Sequence, residues 1–191
     1  MTGQAIAMSA TADRPADDSA RLGSLFDAHH QRLYRLARRL SRTGEDASDL
    51  VQETFLRAAR HITSVPPGAG SEEAWLVRVL INLARDRWRQ QAVRRRGADD
   101  VAFTTTPVMA DSESAVLAKS IIWQALERLH PRRRAIIVLY EIEGATIPAI
   151  ARLLGVAAVT VRWHLSIGRR ELAAAVEGRM SRTDEPGDRH G

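Results

Sequence analysis

The stretch from Ala74 to Arg96 constrains the fold of this chain most, because it is long, contains no proline or glycine and keeps a strict helical spacing. At about 100° per residue, its apolar side chains fall on one side of a helix and its polar side chains on the other. The apolar side consists of Leu76, Val77, Leu80, Ile81, Leu83, Ala84 and Trp88. The opposite side consists of Trp75, Arg78, Asn82, Arg85, Asp86 and Arg89. The stretch is therefore predicted to be an amphipathic helix that buries one face.

The polar side of this helix combines arginines with Trp75 and Asn82, and two interpretations fit it. In the first, it contacts single-stranded nucleic acid: guanidinium groups meet phosphates, the indole ring stacks on a base and the amide reads a base edge. In the second, the helix is an ordinary amphipathic one whose outer face carries salt bridges, with Trp75 tucked beneath a neighbour. The spacing alone does not separate the two interpretations.

Composition narrows the possible functions. The chain has 191 residues, enough for one domain or two small ones, and it contains no cysteine, which excludes disulfides and thiolate zinc sites. Its net charge of +5 comes almost entirely from arginine and favours a polyanionic partner, although a GC-rich genome would produce the same bias. No apolar run approaches the roughly 20 residues of a membrane span, and the N-terminus lacks the features of a signal peptide. We therefore expect no membrane span and a cytoplasmic protein.

The fold class is predicted to be all-α, with two small helical domains joined by a flexible linker. A polar, alanine-rich tail over residues 1–19, predicted to be disordered, precedes a first helical domain over residues 20–97. Residues 98–113 lack helical periodicity and are predicted to be the linker. A second helical domain follows over residues 114–177, and a polar tail over residues 178–191 is also predicted to be disordered.

In the first domain, helices are predicted over Arg21–Ser41 and Ala47–His61, with Ser48 as a possible N-cap of the second. The first helix has an apolar stripe that includes Phe26 and His29. His29 and His30 are adjacent and would point about 100° apart, so we expect a surface or boundary role and no shared metal. The outer side of the second helix carries Asp49, Gln52, Glu53 and Arg57.

The outer side of that second helix does not form a catalytic site. Asp49 and Glu53 are four residues apart, a spacing that acid–base chemistry can use, but no nucleophile, metal ligand or oxyanion donor lies nearby in the sequence. A polar face open to solvent or to a partner protein is the better interpretation. We therefore expect no enzymatic activity, no cofactor and no metal.

The second domain has the pattern of a helix-turn-helix. Thr146 is a plausible N-cap, Pro148 falls in the first helical turn and Gly155 makes the turn between two helices. The second of these helices directs Val161 and Leu165 inward. It would place a set of polar and aromatic side chains in or beside a major groove. That set is Arg162, Trp163, His164, Ser166 and Arg169. A plain helical hairpin with an arginine-rich surface remains the alternative.

The two halves together resemble sigma-70-type transcription initiation factors of the extracytoplasmic-function group, over roughly residues 25–176. In the first half, Asp49–Ala58 (DLVQETFLRA) resembles the helix that docks on the clamp helices of the large polymerase subunit. Trp75–Arg78, with Asn82, Ala84 and Asp86, resembles the helix that melts promoters and reads the −10 element. In the second half, the similarity to the region that reads the −35 element is carried by Leu129–Arg132, Glu143–Gly144, Ile150–Ala151, Leu154–Gly155 and Thr160–Arg162.

This resemblance implies a function and assigns roles to residues. The chain would bind core RNA polymerase and promoter DNA, and an anti-sigma factor would hold it inactive. The unpaired −10 strand would be held by Trp75, Arg78, Asn82, Arg85 and Arg89. The −35 element would be read by Arg162, Trp163, Ser166 and Arg169. The surface for core polymerase would consist of Asp49, Gln52, Glu53 and Arg57.

The sequence also departs from the family pattern. Ala157 stands where relatives often place a serine N-cap on the recognition helix, so we expect that helix to begin late or to fray. Ser166, Ile167 and Gly168 replace a segment that is usually more basic. The loop Thr63–Ser71 is not closely matched, which leaves the −10 specificity open. A second hypothesis is a stand-alone helix-turn-helix regulator, which would not need the Asp49–Ala58 face.

Overall fold

A computed structural model of the chain describes residues 14–97 and 113–183, and these residues are helical apart from short connections. This confirms the all-α prediction. Within these described ranges there are seven α-helices: α1 (Arg14–Leu40), α2 (Gly44–Arg60), α3 (Ala69–Gly97), α4 (Glu113–Arg128), α5 (Pro131–Ile137), α6 (Ile147–Leu154) and α7 (Ala158–Thr183). The chain divides into two compact units, Met1–Ala84 and Arg85–Gly191, with the division inside α3.

The ends of the helices differ from those predicted. α1 begins at Arg14, so the last six residues of the predicted tail over residues 1–19 are helical, and α7 continues to Thr183, beyond the predicted end at residue 177. The remainder of both predicted tails, and residues 98–112 of the predicted linker, lie outside the described residues. Propensity alone misplaces helix ends because packing and capping decide where a helix stops.

In the first unit, α1 packs along α2 and its leucines form the core. Two glutamates at the start of α3 face α1: Glu73 Oε1 forms an ion pair with Arg32 Nε at 3.2 Å, and Glu72 Oε2 lies 3.6 Å from His29 Nε2. His29 is therefore buried, contrary to the predicted surface or boundary role. Phe26, predicted to be part of the apolar stripe, is 44% exposed.

Capping explains where the helices of this unit begin. Thr43, not Ser48, is the N-cap of α2, because its hydroxyl accepts a hydrogen bond from the Asp46 amide. The Ser48 hydroxyl instead donates to the Gly44 carbonyl one turn earlier. A short 3₁₀ turn over Ile62–Ser64 follows α2, and α3 begins at Ala69. Ser71 consequently lies inside the first turn of α3.

In the second unit, α7 packs against α4, α5 and α6. α5 continues as a π-helical segment, Val138–Ile142, and Gly144 follows it with a left-handed φ of 66°. The buried core is built from Ala125, Leu126, Leu129, Ala135, Ile136, Ile137, Val138, Leu139, Ile150, Ala151, Val161 and Leu165. The guanidinium of Arg134, only 4% exposed, lies 4.1 Å from the Trp88 ring centroid and 4.7 Å from that of Trp123.

No single helix among the described residues is both long and apolar enough to cross a membrane. One bent pair of helices, Ile147–Leu154 with Ala158–Gly178, meets the length and composition criteria when the two are taken together.

Candidate nucleic-acid interfaces

The polar side of α3 is a continuous face of cationic, aromatic and amide side chains. All seven residues of the predicted apolar side are buried, including Trp88. On the other side, Arg78, Asn82 and Arg89 are exposed, whereas Trp75 and Arg85 are half-buried. The spacing of three and four residues from Trp75 to Arg89 keeps these side chains on one face over about 21 Å of helix.

One ion pair on this face joins two of its own residues. Arg89 Nη2 lies 3.3 Å from Asp86 Oδ1, in an exposed pair that contributes little to stability. Burial, followed by the positive charges of Arg132 and Arg89, lowers the pKa of Arg85. The guanidinium group still carries its charge at neutral pH, because the ordinary pKa of arginine is far above 7. The face therefore remains cationic and suited to phosphate contacts.

The helix-turn-helix has the geometry expected of a DNA-binding motif. The Thr146 hydroxyl accepts a hydrogen bond from the Ala149 amide and caps α6, and Pro148 falls in its first turn. Gly155 ends α6 in the left-handed conformation, with φ 63° and ψ 41°. The chain turns through 106° between α6 and α7, within the range of about 90–120° that characterises this motif.

The second helix of the motif, α7, has a buried side and an exposed side. Val161 and Leu165 are buried, as predicted, and Arg162, Trp163, Ser166 and Arg169 are exposed. His164, which was predicted to enter or flank the groove, is instead 8% exposed and belongs to the core. α7 begins at Ala158 and accepts its first helical hydrogen bond at the Ala157 carbonyl, from the Val161 amide. The helix therefore does not begin late, although Ala157 offers no side-chain cap.

Two arginines near this face are held by carboxylates of the same unit. Arg169 Nε lies 2.6 Å from Glu141 Oε1, and its guanidinium lies 5.3 Å from the Tyr140 ring centroid. The hydrogen bond to Glu141 raises the pKa of Arg169. Arg133 pairs with Glu171 and also lies 5.7 Å from the Trp163 ring centroid. These contacts orient the side chains along one edge of α7.

Two histidines of the second unit, exposed His130 and buried His164, are shifted towards the neutral form. Burial, followed by the positive charges of Arg133 and Arg132, lowers the pKa of His130. Burial, followed by the same arginines with Arg132 first, lowers the pKa of His164. His130 also caps α5, because its Nδ1 accepts a hydrogen bond from the Arg132 amide at 3.3 Å. An unprotonated Nδ1 is needed for that cap, so the neutral form is the one that fits the fold.

The outer side of α2 carries the four residues predicted to bind core polymerase. Asp49 and Gln52 are exposed, whereas Glu53 and Arg57 are half-buried and form an ion pair at 3.4 Å. Beside them lies an apolar groove of about 360 Å³ between α1 and α2. Its lining includes Phe26, His30, Tyr34, Gln52, Phe55 and Leu56.

The groove was missed at the sequence level. Phe26 fits the apolar stripe of α1 by spacing, yet its ring lies 4.9 Å from the Phe55 ring and 4.5 Å from the His30 ring, at an open edge of the core. Leu56 is also 43% exposed, although it follows the buried Phe55 directly. The sequence offered one signal for this groove: α2 has an apolar residue, Leu56, outside its buried stripe.

Both halves of the chain match models of known protein families. Residues 25–94 match the model of sigma-70 region 2, and residues 119–172 match that of sigma-70 region 4. The first matched segment contains the α2 and α3 faces described above. The second contains the helix-turn-helix.

Three proteins that are similar to this chain over most of its length are ECF RNA polymerase sigma factors. The chain is 34% identical over 164 residues to the ECF RNA polymerase sigma factor SigM of Mycobacterium tuberculosis, covering 83% of this chain and 78% of that protein. It is 36% identical over 175 residues to the ECF RNA polymerase sigma factor SigE of Mycolicibacterium smegmatis, covering 90% and 66%. It is 32% identical over 163 residues to SigL of Mycobacterium tuberculosis, covering 85% and 92%.

Solved structures share the fold. CnrH in complex with the cytosolic domain of CnrY has a TM-score of 0.56 at 24% identity, covering 87% of this chain and 97% of that one. The sigma factor RpoE in complex with the anti-sigma factor NepR, from Bartonella quintana, has a TM-score of 0.55 at 23% identity, covering 86% and 97%. The match to region 2, which a stand-alone helix-turn-helix regulator would not need, excludes that alternative. The chain belongs to the extracytoplasmic-function group of sigma-70 RNA polymerase sigma factors and directs promoter-specific transcription initiation.

Proposed function

We propose that this sigma factor reads the −35 element with α7 and holds the unpaired −10 strand with the polar face of α3. The observation that carries the proposal is that each matched region presents one exposed helix face where arginines stand beside a tryptophan. Residues 20–97 would form the region-2 domain, residues 114–177 the region-4 domain and residues 98–113 a linker between them. A linker lets the two domains bind elements that are separated along the promoter.

On α3, we assign the strand-gripping role to Trp75, Arg78, Asn82, Arg85 and Arg89. Exposed Arg78 and Arg89 supply charge for phosphates, and half-buried Trp75 offers one ring face for stacking. Asn82 is exposed at the centre of this row, where an amide can donate to and accept from a base edge. Capturing an extruded base offsets the few kcal/mol that unpairing costs.

On α7, we assign −35 recognition to Arg162, Trp163, Ser166 and Arg169. All four are exposed, and Arg162 is the fifth residue of α7, near the N-terminus of the helix. N-terminal residues of a recognition helix reach base edges in the major groove, and arginine binds guanine bidentately there. Arg162 is therefore the principal base-reading residue of this set.

On α2, we assign core-polymerase binding to Asp49, Gln52, Glu53 and Arg57, with the neighbouring apolar groove as part of the same surface. Nucleotide chemistry would belong to the polymerase, and this chain would contribute binding alone, in the cytoplasm where polymerase and promoter meet. Because the structural neighbour RpoE was solved in complex with the anti-sigma factor NepR, we also propose that an anti-sigma factor controls this chain.

Reconstituted transcription tests the proposal. Core polymerase with this chain is expected to initiate at a defined set of promoters in a library, and failure to co-purify with core or to direct initiation would refute it. Asn82→Ala is expected to impair promoter opening, read by permanganate reactivity of unpaired thymines, while core binding stays intact. Gln91→Ala is the matched control, because Gln91 is an exposed amide about 180° around the same helix. Equal loss of opening and core binding would mark Asn82 as structural.

A second variant tests the −35 assignment. Arg162→Glu is expected to weaken binding to the selected −35 element at least tenfold and to relax the preferred base beside it. Arg128→Glu serves as the control, since it reverses an exposed charge in the last turn of α4. Unchanged −35 preference in Arg162→Glu would remove that residue from the site.

A further inference from the structure

The recognition helix carries an apolar patch that the assigned −35 residues do not explain. Val159, the second residue of α7, is 66% exposed, and Trp163, four residues later, is 54% exposed. A spacing of four residues places both side chains on the same side of the helix, one turn apart. Ser166 continues this side, seven residues after Val159.

The charges around this patch point to its occupant. Arg162 and Arg170 are exposed beside it, and the guanidinium of Arg133 lies 5.7 Å from the Trp163 ring centroid. An apolar patch bordered by positive charge fits a polyanion that also offers an apolar group. In the major groove of DNA that group is the 5-methyl of thymine, which extends from the base edge beside the phosphates.

The position of Val159 near the start of α7 also fits contact with a thymine methyl group. The first residues of a recognition helix are those that reach the base edges, and Val159 stands one turn before Trp163. The Val159 side chain has no polar atom, so it cannot read a base by hydrogen bonding. A direct contribution to base choice by this side chain must come through apolar contact.

We infer that Val159 contacts the 5-methyl group of a thymine in the −35 element and is a specificity-determining residue of this sigma factor. The inference rests on the proposed function, in which α7 enters the −35 major groove. It adds a thymine preference at one base pair, next to the position that Arg162 reads.

Replacing thymine by uracil tests this directly, because it removes only the methyl group. The −35 element is first selected from a random library with the reconstituted holoenzyme, and each thymine is then replaced singly by deoxyuridine. Burial of one methyl group against Val159 is expected to make the thymine duplex bind about fourfold more tightly at one position. In the holoenzyme with Val159→Ala, this ratio is expected to fall to about one at the same position.

The comparison between variants isolates the contact. Any effect of uracil on the DNA itself is present with both proteins and cancels in the double-mutant cycle. Val93→Ala is the matched control, since Val93 is 67% exposed on α3 and is expected to leave the fourfold ratio unchanged. Alanine favours helix more than valine, so Val159→Ala is expected to stay folded, which the far-ultraviolet circular dichroism spectrum checks.

The outcomes separate this inference from the proposed function. A holoenzyme that selects no −35 sequence would refute −35 reading by α7. A selected −35 element that binds equally well with uracil at every thymine, or that contains no thymine, would overturn the inference and leave −35 reading intact. A thymine ratio that persists in Val159→Ala would also overturn it, because the methyl group would then not be sensed by Val159.

Discussion

Arg169 on α7 forms a short hydrogen bond with Glu141, at 2.6 Å between Nε and Oε1. The two residues are 28 positions apart, and the fold brings them together at an exposed edge of the second unit. An arginine proposed to contact DNA is thus neutralised by a carboxylate of its own domain. DNA phosphates must compete with Glu141 for this guanidinium, which lowers its contribution to affinity.

Glu141→Gln is expected to strengthen DNA binding, because it leaves the Arg169 guanidinium without its carboxylate and removes a negative charge near the phosphates. We expect the affinity of the holoenzyme for promoter DNA to rise about two- to fivefold at low salt, with a steeper dependence on salt concentration. Fluorescence anisotropy over a salt series measures both quantities.

The control for this prediction is Glu45→Gln, which removes an exposed carboxylate from the first turn of α2. An equal gain in affinity with Glu45→Gln would attribute the effect to net charge and not to release of Arg169. No gain with Glu141→Gln would show that Arg169 does not contribute to DNA binding.

Stability is expected to depend on pH through His130 and His164. Both histidines have a pKa lowered below the ordinary value of 6.5, so the unfolded chain binds more protons than the folded chain in the acidic range. Their contribution is fully present above about pH 6.5 and is lost as the pH falls from there through the lowered pKa values. Urea unfolding at a series of pH values from 7.5 to 5.5 measures this loss.

His130→Asn separates the contribution of this histidine from that of His164. Asparagine is a good N-cap, so this variant is expected to keep the stability of the parent at pH 7.5 and to lose less of it at pH 5.5. A pH dependence identical to that of the parent would show that His130 does not contribute.

The uncapped start of α7 offers a stabilising substitution. Ala157→Ser would supply a hydroxyl that can accept a hydrogen bond from an amide of the first turn, and we expect the free energy of unfolding to rise by about 1 kcal/mol. The midpoint of urea denaturation, monitored by helical circular dichroism, measures the change. An unchanged or lower midpoint would mean that backbone geometry at Ala157 does not admit a side-chain cap.

Gly168 marks a close approach between α7 and α5. A Cβ atom at this position would lie 3.1 Å from Ile137 Cγ1 and 3.3 Å from Ile137 Cδ1, closer than ordinary contact. Ile137 is buried, so it has little room to move, and Gly168→Ala is expected to destabilise the unit despite the better helix propensity of alanine.

Gly178→Ala is the matched control on the same helix. A Cβ atom there would meet nothing within 4 Å, and the substitution is expected to stabilise the helix by up to about 1 kcal/mol. Thermal unfolding measures the change in stability that each of the two variants causes. Equal stabilisation by both substitutions would show that Ile137 gives way and that Gly168 has no packing role.

Local sequence determined the helices, the helix-turn-helix and the family. The apolar side of α3 was predicted residue by residue, because a helix repeats at a fixed angle and needs no knowledge of its neighbours. The same holds for Thr146 and Gly155, whose capping and turn roles depend on their own side chains and backbone conformation. Motifs within such segments were sufficient to identify the family.

Tertiary structure decided which residues at the edges of the helix faces are buried, exposed or paired. Phe26 fits the stripe of α1 but stands at an open groove, while His29 is buried beside Glu72 of a later helix. His164 joins the core, and Arg169 is paired with Glu141. Spacing gives the direction of a side chain around its helix, whereas burial and pairing depend on contacts between segments far apart in sequence. Those contacts set which arginines, aromatic rings and carboxylates of this sigma factor remain available to DNA and polymerase.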